Sequence, residues 1–160
     1  MNPSPTAPPA WQLELDRTFD APIALVFEAW ATPELWTRWF PPRGFTMTLE
    51  QMDFRVGGSF AATFHDDDAE NVSHSFTGTY VEITPGERLV WEGAFPDGPP
   101  DQMLTSITFT AEGEKTAVHV VQSFRVLSPI AEMGIKGAKI GWGQTLDKLG
   151  EFLAERQTKA

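Results

Sequence analysis

The stretch RGFTMTLEQMDF at residues 43–54 opens a run of alternating apolar and polar side chains that closes with TAVHVVQSFRV at 116–126. Side chains along a strand point alternately to opposite faces, so a run of this kind, punctuated by turn residues, reads as successive strands. The punctuation is Gly57-Gly58, Pro85-Gly86-Glu87 and Glu112-Gly113-Glu114. Between them lie Phe60, Ala62 and Phe64 on one face, then Ser73 to Ile83, Leu89 to Phe95 and Met103 to Thr110. Nothing from Arg43 to Val126 sustains the 3.6-residue period of a helix.

Outward from this run the period changes twice. On the N-terminal side Trp11 to Phe19 alternates as a half-buried strand, and Asp20-Ala21-Pro22 stops it. Ile23, Val26, Phe27 and Trp30 then form one apolar helical stripe, with Pro22 suited to the first turn. Thr32-Pro33-Glu34 reads as a cap, a first-turn proline and an acid near the positive helix end, predicting a second short helix that carries Leu35 and Trp39. On the C-terminal side, after Pro129, the residues Ile135, Ala138, Trp142, Leu146, Leu149 and Leu153 recur every three to four positions, as along a helix packed on one side. Gly134, Gly137, Gly141 and Gly143 each weaken helix propensity by about 1 kcal/mol relative to Ala, so the firm helix is expected from about Gly141 to Arg156.

Composition narrows the chemistry. With 160 residues the chain suits one domain, at 11–157, behind a Pro-rich tail at 1–10 expected to be disordered. A net charge of -10, with dispersed Lys and Arg, argues against nucleic acid and anionic membranes as partners. There is no cysteine, hence no disulfide, thiolate nucleophile or Cys-based metal site, which fits a reducing cytoplasm. No apolar run reaches membrane-span length. The twelve Phe and six Trp against one Tyr provide wide apolar faces with few hydroxyl handles.

The segments Arg17-Thr-Phe-Asp-Ala-Pro22, Trp30-Ala-Thr-Pro-Glu-Leu35 with Trp39-Phe40, Asp53-Phe-Arg-Val-Gly-Gly58, Phe76-Thr-Gly78 running to Glu82-Ile83, Pro85-Gly-Glu-Arg-Leu89, and Gly141-Trp142 before Leu146 and Leu149 come in a distinctive order. Over about 140 residues that order resembles the START-like, helix-grip or SRPBCC superfamily, in the branch of homologues of the activator of the heat-shock-protein ATPase. The resemblance implies an α+β fold: a seven-stranded antiparallel sheet wrapped round a long C-terminal helix, with the two short helices closing one end of a cavity. It also implies a role in binding lipids, sterols, polyketides or hormones, as superfamily members do, with a few relatives acting as cyclases or aromatases. The branch name implies a chaperone as an alternative partner.

No residue pattern supports catalysis directly. His65, His74 and His119 are the only imidazoles, and they stand apart, expected at the surface or at strand ends, although the face of His74 also carries Phe76. Asp66, Asp67, Asp68 and Glu70 lack the spacing and glycine of a calcium loop and read as a solvated turn. The glycines before Gly143 have no following Lys-Ser or Lys-Thr pair, and no GxSxG elbow is present. Neither a metal nor a cofactor is expected.

What remains is an aromatic interior. The candidate lining residues are Trp39, Phe45, Phe60, Phe64, His74, Phe76, Trp91, Phe95, Phe109, Gln122, Phe124, Ala138 and Trp142. The competing reading is that rings at strand period are simply core. Gln122 tilts the balance, because it shares the face of Val118, Val120 and Phe124, and a buried amide needs a protein, water or ligand partner. The resemblance implies a polar residue pointing into the cavity at that position. The expected function is therefore binding of a small hydrophobic or aromatic molecule by a non-enzymatic protein, monomeric or homodimeric. The alternatives are a co-chaperone-like interaction module acting through an acidic surface, and a polyketide cyclase or aromatase.

Overall fold

The computed structural model describes residues 11–41, 43–68, 73–94, 103–124 and 129–158. The chain begins with β1 (Trp11–Phe19), α1 (Ile23–Ala31) and α2 (Pro33–Trp39), and continues through β2 (Phe45–Met52), β3 (Ser59–Asp66) and β4 (Ser73–Thr84). Next come β5 (Arg88–Ala94), β6 (Met103–Glu112) and β7 (Lys115–Phe124), followed by α3 (Pro129–Thr158). The strands form one antiparallel sheet in the order β1-β7-β6-β5-β4-β3-β2, so the first strand pairs with the last at one edge and the α1–α2 connection crosses to β2 at the other. The α+β helix-grip architecture anticipated from the sequence is the one found. The 1–10 tail, Phe95, Glu70 and the 96–100 loop lie outside the described residues.

The concave face is apolar because the strand period is kept with the sheet folded over α3. Phe60 and Ala62 from β3, Phe76 and Tyr80 from β4, Leu89 and Trp91 from β5, Met103, Ile107 and Phe109 from β6, and Val118, Val120 and Phe124 from β7 are all buried. Two irregularities allow the curvature, since an extra residue on one strand bends it and increases its twist. One falls between Leu49 and Gln51 against β3, the other between Tyr80 and Glu82 against β5. The second resolves a feature opaque in the sequence, the apolar residues on both faces of β4. The bulge reverses the strand's parity, so Ile83 continues the inner row of Tyr80 while Glu82 faces out to Arg88.

A pair of glycines does comparable work. Gly78 and Gly93 sit opposite one another on β4 and β5. A methyl group at Gly78 would lie 2.3 Å from the Phe60 ring, and one at Gly93 2.9 Å from the Phe76 ring. The missing side chains are the space into which two phenyl rings lie flat against the sheet.

Two sequence expectations need correction. α3 is continuous from Pro129, not firm only from Gly141, because the cost of its glycines is a weak local preference that a helix already nucleated by a packed C-terminal half outweighs. In α2 the buried residues are Trp36 and Trp39, with Leu35 only half-buried, since the interior is met at a spacing of three. Thr32 holds the N-cap position of α2 and Pro33 its first turn, as expected, but the Thr32 hydroxyl makes no capping bond.

α3 is held along its length. Leu146, Leu149 and Leu153 are fully buried against the sheet. Arg17 of β1 donates to Asp147 at 3.1 Å and to the Gly143 carbonyl at 3.4 Å, while Gln157 donates to the Asp20 carbonyl at 2.8 Å. The Thr145 hydroxyl donates to the Phe40 carbonyl at 2.7 Å, satisfying a carbonyl at the C-terminal end of α2 that would otherwise be orphaned. Leu149→Ala should cost about 2 to 5 kcal/mol in a denaturant titration, as truncations leaving a core cavity do. A loss below about 0.5 kcal/mol, the size of an ordinary surface change, would mean that α3 is not gripped.

Candidate functional site

The interior between α3 and the sheet is occupied by aromatic rings arranged around Trp30. Its indole lies 4.6 Å from the Trp39 ring, 6.0 Å from Phe109, 6.2 Å from Trp142 and 6.3 Å from Trp91, mostly edge to face and stacked only on Trp142. Phe40 makes a second hub, 5.7 Å from Trp142, 6.2 Å from Phe64 and 6.4 Å from Trp91. Neither hub was among the candidate lining residues drawn from the sequence. The apolar stripe Ile23-Val26-Phe27-Trp30 did contain the signal for Trp30, since the last member of an inward-facing stripe is the one that reaches the sheet.

The sequence candidates divide into three groups. Trp39, Phe60, Phe76, Trp91, Phe109, Gln122, Phe124 and Trp142 are brought together in the interior, all buried. Phe45, Phe64 and Ala138 are half-buried at its rim. His74 is exposed: it shares the inner face of β4 with Phe76 but lies at the open end of the strand, its ring 6.2 Å from Phe45, so it does not line the interior. Phe95 cannot be placed, being outside the described residues. Burial falls from Trp39 at 0% exposure to Trp142 at 7% and Phe124 at 9%, which puts the less sealed end toward Phe64, Ala138 and Phe124.

Polar atoms in this interior are few, and their partners decide what it can do. Among the described residues the buried polar side chains are Thr105, Thr116, Gln122 and Thr145, with the Tyr80 phenol, whose pKa burial pushes further up so that it stays protonated. The Gln122 amide donates to the Thr105 hydroxyl at 2.8 Å, and its oxygen accepts the Trp142 indole N–H at 3.3 Å. Both ends of Gln122 are therefore engaged within the protein, and its burial needs no ligand. The Trp39 N–H is likewise taken, donating to the Ala29 carbonyl at 3.0 Å and so locking α2 to α1. The Trp30 and Trp91 indole N–H groups are different: both are buried, and neither has a hydrogen-bond partner.

The histidines facing outward are part of surface networks. His119 on β7 is flanked by Glu14 and Asp16 of the neighbouring β1, and His65 Nε2 lies 2.8 Å from the Thr48 hydroxyl. In the acidic turn the Asp68 N–H donates to the Asp66 carboxylate at 2.9 Å, a local turn contact. Among the described residues no group of three or more His, Cys, Asp or Glu is placed to hold a metal ion, and no helix is long and apolar enough to cross a membrane.

The family described as activator of Hsp90 ATPase homolog 1-like protein matches residues 20–154. The chain belongs to this family. Among solved structures, a Chromobacterium violaceum protein shares 29% identity with a TM-score of 0.78, the alignment covering 89% of this chain and 96% of that one. A Rhizobium leguminosarum protein shares 30% identity with a TM-score of 0.67, covering 90% and 94%. CalU16 from Micromonospora echinospora, at 22% identity and a TM-score of 0.64 over 92% and 79%, shares the fold. A comparison with curated proteins finds no match. The activator-homologue family thus accounts for the motif order, while the interior chemistry has to be read from this chain's own residues.

Gln122→Leu should lower stability by about 1 to 3 kcal/mol, because it strands the Trp142 N–H and removes the partner of Thr105. Guanidinium titrations of the two proteins check this. An unchanged midpoint would mean that the Gln122 contacts contribute nothing to stability.

Proposed function

We propose that this member of the activator-homologue family binds a small, flat, largely aromatic molecule carrying a hydrogen-bond acceptor, in the interior between α3 and the sheet. The observation that carries the reading is the pair of unpartnered indole N–H groups of Trp30 and Trp91, whose rings lie 6.3 Å apart amid other aromatic rings. An unsatisfied buried donor costs about 1 to 3 kcal/mol, and a carbonyl or ether oxygen on a bound molecule would remove that cost. The rings around it supply stacking and edge contacts, and ligand burial contributes about 25 cal/mol per Å² before entropic losses. The guest enters at the less sealed end, displacing Trp142 and Phe124. The polar handle is thus a pair of donors, in place of the Gln122 amide.

Nile red, a neutral planar dye with one carbonyl, tests this directly. Its emission should rise with saturation on adding protein while tryptophan emission falls. Trp30→Phe and Trp91→Phe keep a ring and delete only the N–H donor with part of the ring area, so each should weaken Nile red by about 1 to 3 kcal/mol without unfolding the protein. If wild-type protein leaves the dye unchanged and releases no small molecule on denaturation, the interior is core alone and the proposal fails.

A second reading follows from the family description. A chain of charge -10 with its acidic groups outward suits an interaction module on a heat-shock ATPase, in a cytoplasmic setting. Stimulation of Hsp90 ATPase turnover by the purified protein would select this reading over the first.

A further inference from the structure

A groove of about 430 Å³ runs outside the aromatic interior, between the end of α2, the turn into β2 and the C-terminal half of α3. Its walls are Arg38, Arg43, Lys148, Glu151, Phe152 and Glu155. Three of the chain's twelve Lys and Arg converge there, in a protein whose net charge is -10. Arg43 is spent on Glu151, with its guanidinium 2.6 Å from the carboxylate. Lys148 is only half-exposed and donates one N–H to the Pro41 carbonyl at 2.5 Å, leaving two of its three donors for another acceptor. Among the described residues Arg38, exposed at the end of α2, has no ion-pair partner.

We propose that this groove is a second binding site, for a small organic carboxylate with a short apolar tail. The carboxylate lies between Arg38 and Lys148, and the tail lies along the half-buried Phe152 ring. Arg43 and Glu151 neutralise each other, so the donors the groove wall offers a ligand are Arg38 and Lys148, with Glu155 beside them and Asp67 acting on Lys148 from outside the wall. Two donors beside two carboxylates suit a singly charged group. A phosphate dianion would meet Glu151 and Glu155 at close range, where like charges cost more than the extra charge gains. Burial, and after it the neighbouring Arg43, lower the Lys148 pKa, while Glu151 and then Asp67 only partly offset them. A carboxylate against the ammonium reverses that balance.

The site is independent of the aromatic interior, and amide chemical-shift mapping with ¹⁵N-labelled full-length protein separates the two. Hexanoate should produce saturable shifts at the amides of Arg38, Arg43, Lys148 and Phe152. Hexan-1-ol, with the same tail and no charge, and inorganic phosphate, with charge and no tail, should not do so at equal concentration. Arg38→Gln, on an exposed side chain, should weaken hexanoate about three- to ten-fold with the fold intact, and Lys148→Met should do the same while Lys148→Arg retains binding. The proposal is overturned if hexanol matches hexanoate, if phosphate binds as well, if Arg38→Gln binds like wild type, or if the shifts fall on the interior indoles instead.

Discussion

Wrapping one antiparallel sheet around a single helix is the constraint from which the rest of this molecule follows. α3 must bury Leu146, Leu149 and Leu153, and the sheet has to bend to meet all three. A regular pleated sheet twists but does not fold over, so the bulges after Leu49 and Tyr80 bend it, and the facing glycines Gly78 and Gly93 make room for the rings inside. β1 closes the circuit by pairing with β7 and sending Arg17 up to Asp147. Large rings fill the interval between the bent sheet and its helix. That is why Trp30, Trp39, Trp91 and Trp142 meet although they come from α1, α2, β5 and α3.

Polar accounting then distinguishes scaffold from candidate site. Trp39, Trp142, Gln122, Thr105 and Thr145 all have protein partners, and each of those contacts ties one element to another. Such fully satisfied contacts specify packing. The Trp30 and Trp91 N–H groups are exceptions in an interior otherwise well satisfied, and exceptions of this kind require either a cost borne by the fold or a partner supplied from outside.

The electrostatics are equally uneven. The chain is acidic overall, and its surface carries local pairs such as Glu82 with Arg88 on the sheet and Asp53 with Arg55 in the connection between β2 and β3. Exposed pairs of this kind contribute little stability. Where α2 ends against α3 three cations gather, because Arg38 closes one helix, Arg43 opens the following turn and Lys148 comes from the third element. Interior and groove thus differ in kind, the one apolar and aromatic, the other charged.

The alternation between Arg43 and Val126 was sufficient to establish strands, their inner face and the final gripped helix, because periods of 2 and 3.6 are properties of the local chain. The motif order then placed the chain in its family. Which rings meet, and which polar atoms they leave unpartnered, was not legible: Gln122 was open to a protein, water or ligand partner until Thr105 and Trp142 arrived from other elements, and His74 was both a strand-end residue and a lining candidate until its exposed position at the open end of β4 settled it. A sequence records what each side chain is and which face it takes. Whether a buried donor finds an acceptor depends on distances set by bulges, glycine pairs and helix stand-off, and those are decided only when the sheet closes on the helix.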